Sequence, residues 1–111
     1  CDSGYDTHFK PIGEKYGPFD LSLVECGQYN KMWPDVHMFP EETVQAGIDL
    51  KANKIIPIHW GAFKLAMHAW NEPHIIAATE ANKKGVTLEI PKIGQAISID
   101  SLSHKNEKWY Q

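Results

Sequence analysis

Cysteine is scarce in this chain: Cys1 and Cys26 are its only two in 111 residues. That excludes a disulfide-stapled scaffold and a cysteine-rich zinc module. The simplest expectation is reduced, buried thiols, which weakly favours the cytoplasm. Cys1 as a nucleophile, with His8 or His59 as its base, is a disfavoured reading because no base lies near it in sequence. No apolar run approaches the roughly 20 residues of a membrane helix, and no signal peptide is visible. A strong charge of either sign is missing too. The formal net charge is −3, which offers no general attraction to nucleic acid or to an anionic surface. Internal repeats and low-complexity tracts are absent. So is an initiator Met, which raises the expectation of a fragment whose upstream half lies before Cys1.

What is present is an ordinary globular composition, 42% apolar and 23% charged, enough for one modest core. Cys1 to Tyr5 reads as a strand end passing into a loop. "DTHFKPIGEKYG" reads as a short helix capped by Asp6 or Thr7, with Phe9, Ile12 and Tyr16 on one face. "FDLSLVEC" reads as a strand in which Phe19, Leu21 and Leu23 alternate with polar residues before Val24 and Cys26. Pro40, Glu41 and Glu42 open a second helix, with Val44, Gly47, Ile48 and the stem of Lys51 turned inward. Lys54 to His59 is a second strand. Pro73 starts a third helix that offers Ile75, Ile76 and Ala78 for packing and stops at Gly85. "VTLEIP" and "QAISID" are expected as further strands. Strand and helix alternate throughout, which favours a layered α/β fold. Residues 1–100 form the folded part on this reading, and 101–111 a polar C-terminal tail carrying Trp109 and Tyr110.

In α/β sheets ligands gather beyond the carboxyl ends of the strands. Asp2 and His59 are both expected there, and together they make a donor pair suited to zinc, iron or manganese. On spacing alone, a strand-end histidine serves equally well as a structural residue. His37, just before the helix opened by Pro40, is either a loop histidine in solvent or a pocket residue that binds substrate. Trp60 follows His59 directly and is a candidate pocket wall. His68 and His74 are expected at the surface or behind the ligands, His8 and His104 at the surface. Gly4 and Gly61 follow Asp2 and His59 at matched offsets, where the backbone must turn sharply.

The ordered set "DSGY", "HMFPEETVQAGIDL" and "IPIHWGAF" resembles the C-terminal half of a metallo-β-lactamase-fold hydrolase. The similar branch contains N-acyl-phosphatidylethanolamine phospholipase D and ascorbate-phosphate lactonase relatives, and the resemblance spans roughly Cys1 to Gly94. It implies half of a four-layer αββα sandwich and a site for two divalent metal ions, zinc before iron or manganese. By resemblance, Asp2 matches the aspartate that bridges both metals and His59 the last histidine ligand. His37 matches a pocket position. The implied reaction is attack of a metal-bound hydroxide on a phosphodiester, lactone or ester. The implied partners are a small-molecule substrate and the N-terminal half of the domain. The family's His-x-His-x-Asp-His motif is absent from the chain, as is the histidine that normally follows it. A glycine usually precedes the bridging aspartate, and Cys1 stands here instead. Two ligands cannot hold two metals, so this stretch by itself is expected to be inactive. The competing expectation is a non-catalytic α/β binding or assembly module, a homodimer through its exposed sheet face.

Overall fold

The computed structural model describes residues 2–100 and 108–110; Cys1 and the tail segment 101–107 lie outside the described residues, so the expectations for Cys1 and His104 do too. Five elements follow one another: α1 (Phe9–Tyr16), β1 (Ser22–Glu25), α2 (Pro40–Asp49), β2 (Ile55–Ile58) and α3 (Glu72–Lys84). β1 and β2 pair in parallel, with Ser22 opposite Ile55 and Glu25 opposite Ile58. A parallel pair needs a crossover connection, and α2 supplies it.

The helix ends follow from local chemistry. Pro40 sits in the first turn of α2, and the Glu42 carboxylate returns to accept from the Phe39 N–H at 2.9 Å. That satisfies one orphan donor of the helix start and places negative charge at its positive end. α3 stops at Gly85, whose φ of 67° is the left-handed cap that glycine takes without strain. α1 starts without the side-chain cap expected of Asp6 or Thr7: Asp6 instead accepts from the Thr7 N–H at 2.6 Å.

One sheet face carries the core. Val24, Cys26, Val44, Ala46, Ile55, Ala77, Ala81, Leu88 and Ile90 form a single buried cluster that joins β1 and β2 to α2 and α3. Tyr110 belongs to the same cluster, and the Trp109 indole N–H donates to the Ile90 carbonyl at 2.9 Å. β1 buries Ser22, Val24 and Glu25 and leaves Leu23 59% exposed, so the expected inward face is reversed and the alternation breaks at Glu25. Leu23 lies opposite Ile56 in register, so the two share the face away from Ile55 and the helices.

Several expected elements resolve differently. Residues 2–6 form no strand; Gly4 donates its N–H to the Asp35 carbonyl at 3.1 Å, so this segment pairs with a loop. "VTLEIP" contributes one bridge, Leu88 to Ile55, through the Ile55 N–H to Thr87 and the Glu89 N–H to Ile55. "QAISID" is not a strand, because Gln95 turns back to Lys92 through both its backbone N–H and its side chain. In α1 the buried positions are Phe9 and Gly13, not Ile12 or Tyr16, because Gly13 fits against the end of α2 at Asp49 and Leu50. α3 buries Pro73, His74, Ala77 and Ala81; of the residues expected to pack, Ala78 lies against the core while Ile75 is exposed. None of the described helices is long and apolar enough to cross a membrane.

Candidate metal centre

Asp2, His37 and His59 come from three separate stretches of chain. They bring one carboxylate oxygen and two imidazole nitrogens to within 4.8 Å of one another. Among the described residues no other group of three metal-ligating side chains converges in this way. The Asp2 carboxylate lies 3.3 Å from His59 Nε2 and 4.0 Å from His37 Nδ1. The two imidazoles stack, with centroids 5.2 Å apart and planes 20° from parallel. Exposure is graded across the group: His37 is 13% exposed at its side chain, His59 35% and Asp2 65%. The site is therefore anchored on one side and open on the other.

Each side chain is placed by its backbone. His59 directly follows β2 and takes φ = 68°, a conformation that costs a β-carbon-bearing residue about 1–2 kcal/mol. Its carbonyl turns onto Gly27, where a β-carbon would come within 1.4 Å of that oxygen. The strand ends close on each other just before this point, since the Cys26 N–H donates to the Ile58 carbonyl at 2.9 Å. Asp2 is brought in by Gly4, whose backbone lies flat on Asp35, with only 2.5 Å to the position a β-carbon would take. That contact ties the Asp2 segment to the loop that carries His37.

His37 is held from behind by Glu25, the last residue of β1. The Glu25 carboxylate is buried, with Oε1 3.1 Å from His37 Nδ1. Oε1 also accepts from the Gly27 N–H at 2.8 Å, and Oε2 from the Met38 N–H at 2.8 Å. Thr43 of α2 donates its hydroxyl to the Glu25 carbonyl at 2.7 Å, which fixes the helix to the strand end. Sequence reading missed Glu25. The signal available was a carboxylate inside the apolar run "LVEC", directly before a glycine.

Trp60 lies elsewhere than expected. Its ring contacts are with His74, at 4.0 Å between centroids, and with Trp109 at 5.8 Å, and its N–H donates to the Pro57 carbonyl. It extends the core instead of meeting the Asp2, His37 and His59 group. His74, expected at the surface or behind the ligands, is completely buried among Trp60, Trp70 and Tyr110, and among the described residues neither ring nitrogen has a hydrogen-bond partner. Burial pushes its pKa down to about 4, which keeps the ring neutral. His68 stacks on Tyr29 at 4.1 Å. Cys26 is a buried free thiol whose pKa burial pushes up to about 12, as befits a core residue.

Gln28, also missed, organises the rim. Its side-chain N–H donates to the Phe63 carbonyl at 2.9 Å, and its oxygen accepts from the N–H groups of Leu65 and Ala66. This pins the loop that follows His59.

Comparison with known proteins places this geometry in context. The model of the β-lactamase superfamily domain matches residues 1–60. An uncharacterized protein of Mycobacterium tuberculosis is 43% identical over 99 residues, covering 86% of this chain and 27% of that protein. N-acyl-phosphatidylethanolamine-hydrolyzing phospholipase D 1 of Caenorhabditis elegans is 40% identical over 67 residues, covering 58% of this chain and 19% of the enzyme. The structure of a metallo hydrolase from the archaeon Ignicoccus hospitalis superposes with a TM-score of 0.61 at 19% identity, over 82% of this chain and 35% of that one. The chain thus spans roughly a quarter of the length of the mycobacterial relative.

Proposed function

Because the chain belongs to the β-lactamase superfamily and carries part of a metallo-β-lactamase fold, we propose that it is the C-terminal share of a metal-dependent hydrolase that cleaves a phosphodiester. The observation that carries this reading is the meeting of Asp2, His37 and His59 at one edge of the sheet. One carboxylate oxygen and two imidazole nitrogens are a donor set that zinc, iron and manganese all accept. Three such donors within 4.8 Å of one another fit a divalent ion in size and chemistry.

On this reading Asp2 and His59 hold the ions, together with ligands from a preceding part of the protein. When bound, divalent ions supply Lewis acidity toward substrate oxygens and lower the pKa of a coordinated water. Asp2, the most exposed of the three, would offer its carboxylate oxygens to the ions. His59 offers Nε2, the nitrogen already directed at Asp2. His37 sits close enough to take or give a proton at the reacting centre, steadied by the Glu25 carboxylate. The name of the nematode relative, a phosphodiester-cleaving phospholipase, favours that substrate class over a lactone. The open face bearing Leu23 and Ile56 suits the preceding half of the sandwich as its cover, in preference to a second copy of this chain.

The test is made in the full-length protein. Asp2→Ala and His59→Ala are expected to lose bound metal, read by elemental mass spectrometry, and to lose hydrolysis of a model phosphodiester together. Far-ultraviolet circular dichroism should stay unchanged. Undiminished turnover in both variants would sink the proposal.

A further inference from the structure

We infer that Glu25 is a positioning residue that fixes the tautomer of His37, placing the ring proton on Nδ1 and leaving Nε2 as its only lone pair. The argument is a count of donors. A carboxylate can only accept hydrogen bonds. Glu25 is 3% exposed, so its oxygens must find their donors inside the protein. It receives the Gly27 N–H at 2.8 Å and the Gln28 N–H at 3.4 Å on Oε1, and the Met38 N–H at 2.8 Å on Oε2. His37 Nδ1 completes this shell at 3.1 Å from Oε1. An unprotonated Nδ1 there would set a lone pair against a buried carboxylate. A protonated Nδ1 makes a charge-assisted hydrogen bond instead. The other acid within reach, Asp2, stands farther from Nδ1 at 4.0 Å and is 65% exposed, so it does not compete.

The consequence is chemical. With Nδ1–H committed to Glu25, the one lone pair left to His37 for coordination or proton acceptance is on Nε2. This is the arrangement in which a carboxylate behind an imidazole sets which nitrogen is free. The same carboxylate ties the loop after β1, at Gly27 and Gln28, to the entrance of α2 at Met38. A single buried acid therefore holds the two backbone segments that flank His37 and orients the ring between them. Cleaving the β1 exit from the α2 entrance and changing the tautomer are separable effects of Glu25, and a suitable substitution distinguishes them.

This inference concerns the site proposed above and rests on that reading for its catalytic meaning. Its test needs neither metal nor turnover. Full-length protein labelled with nitrogen-15 in its histidine rings is stripped of metal, and the His37 ring is assigned by comparison with His37→Gln. The expected result at neutral pH is a protonated-type Nδ1 and an unprotonated-type Nε2. Glu25→Met keeps a comparable length but removes both acceptor oxygens. It is expected to convert His37 wholly or partly to the Nε2–H tautomer while circular dichroism stays native. A wild-type ring with Nε2 protonated overturns the inference whatever the variant does. An unchanged Nδ1–H tautomer in folded Glu25→Met overturns it too, because Glu25 would then be a backbone clasp alone. Asp2→Ala and His59→Ala, read by metal content, judge the hydrolase proposal separately.

Discussion

Gly27→Ala should damage this site more than its size suggests. The added methyl would lie 1.4 Å from the His59 carbonyl oxygen, whereas ordinary contact begins near 3.4 Å. The shortfall is about 2 Å, and both neighbours are backbone, so no side-chain rotation relieves it. Overpacking of this kind costs about 1–3 kcal/mol. Pushing the strand ends apart also strains the hydrogen bond from the Cys26 N–H to the Ile58 carbonyl, worth about 1 kcal/mol. The expected loss is about 2–4 kcal/mol, measured by urea unfolding of the full-length protein. His59 must move with its carbonyl, and a ligand tolerates a displacement of only about 0.2 Å from its ideal distance. Metal affinity should therefore fall by more than tenfold in whatever fraction remains folded, read by competition with a chromogenic chelator. A loss under about 0.5 kcal/mol with unchanged affinity would refute the close approach of Gly27 to His59, and with it the account of how β1 sets the ligand.

Two further outcomes follow from burial. His74 has a folded-state pKa near 4 against 6.5 for the free side chain, so the unfolded chain binds a proton that the native core refuses. Its contribution is complete above about pH 6.5 and is lost as pH falls toward 4, at most about 3 kcal/mol. His74→Phe should flatten that slope in unfolding measurements between pH 4 and 7, and a slope equal to wild type would show that other groups set it. Leu23, 59% exposed here, should be covered in the full-length protein if a second sheet packs on this face. Leu23→Lys is then expected to cost about 2 kcal/mol or more. A neutral effect would mean that the face stays open to solvent.

Asp2 and His59 stood out in the sequence for a simple reason. A strand of branched apolar residues that ends in "HWG", and an acid beside a turn glycine, state their positions locally. Their convergence is not local, and neither is the chemistry around them. Glu25 looks like the polar partner in an alternating strand. Its burial depends on N–H groups at Gly27, Gln28 and Met38 and on the His37 ring, which only the folded loop gathers. His74 sits at the start of a helix whose length and stop signals are plain. The rotation that buries it is set by Trp60 and Tyr110, the latter 36 positions further along the chain.

Leu23 carries the same lesson in reverse. Period-two alternation tells which residues share a face, but not which face meets the helices. From Ser22 to Cys26, Leu23 and Glu25 lie on one face and Ser22, Val24 and Cys26 on the other, and the helices take the second because Val24 and Cys26 pack there with Ile55. The exposed Leu23 is consistent with a layer built for a sandwich. In such a sandwich the open side of the Asp2, His37 and His59 group is where further ligands would have to arrive. The partly exposed Asp2 and the nearly enclosed His37 mark the two sides of that opening.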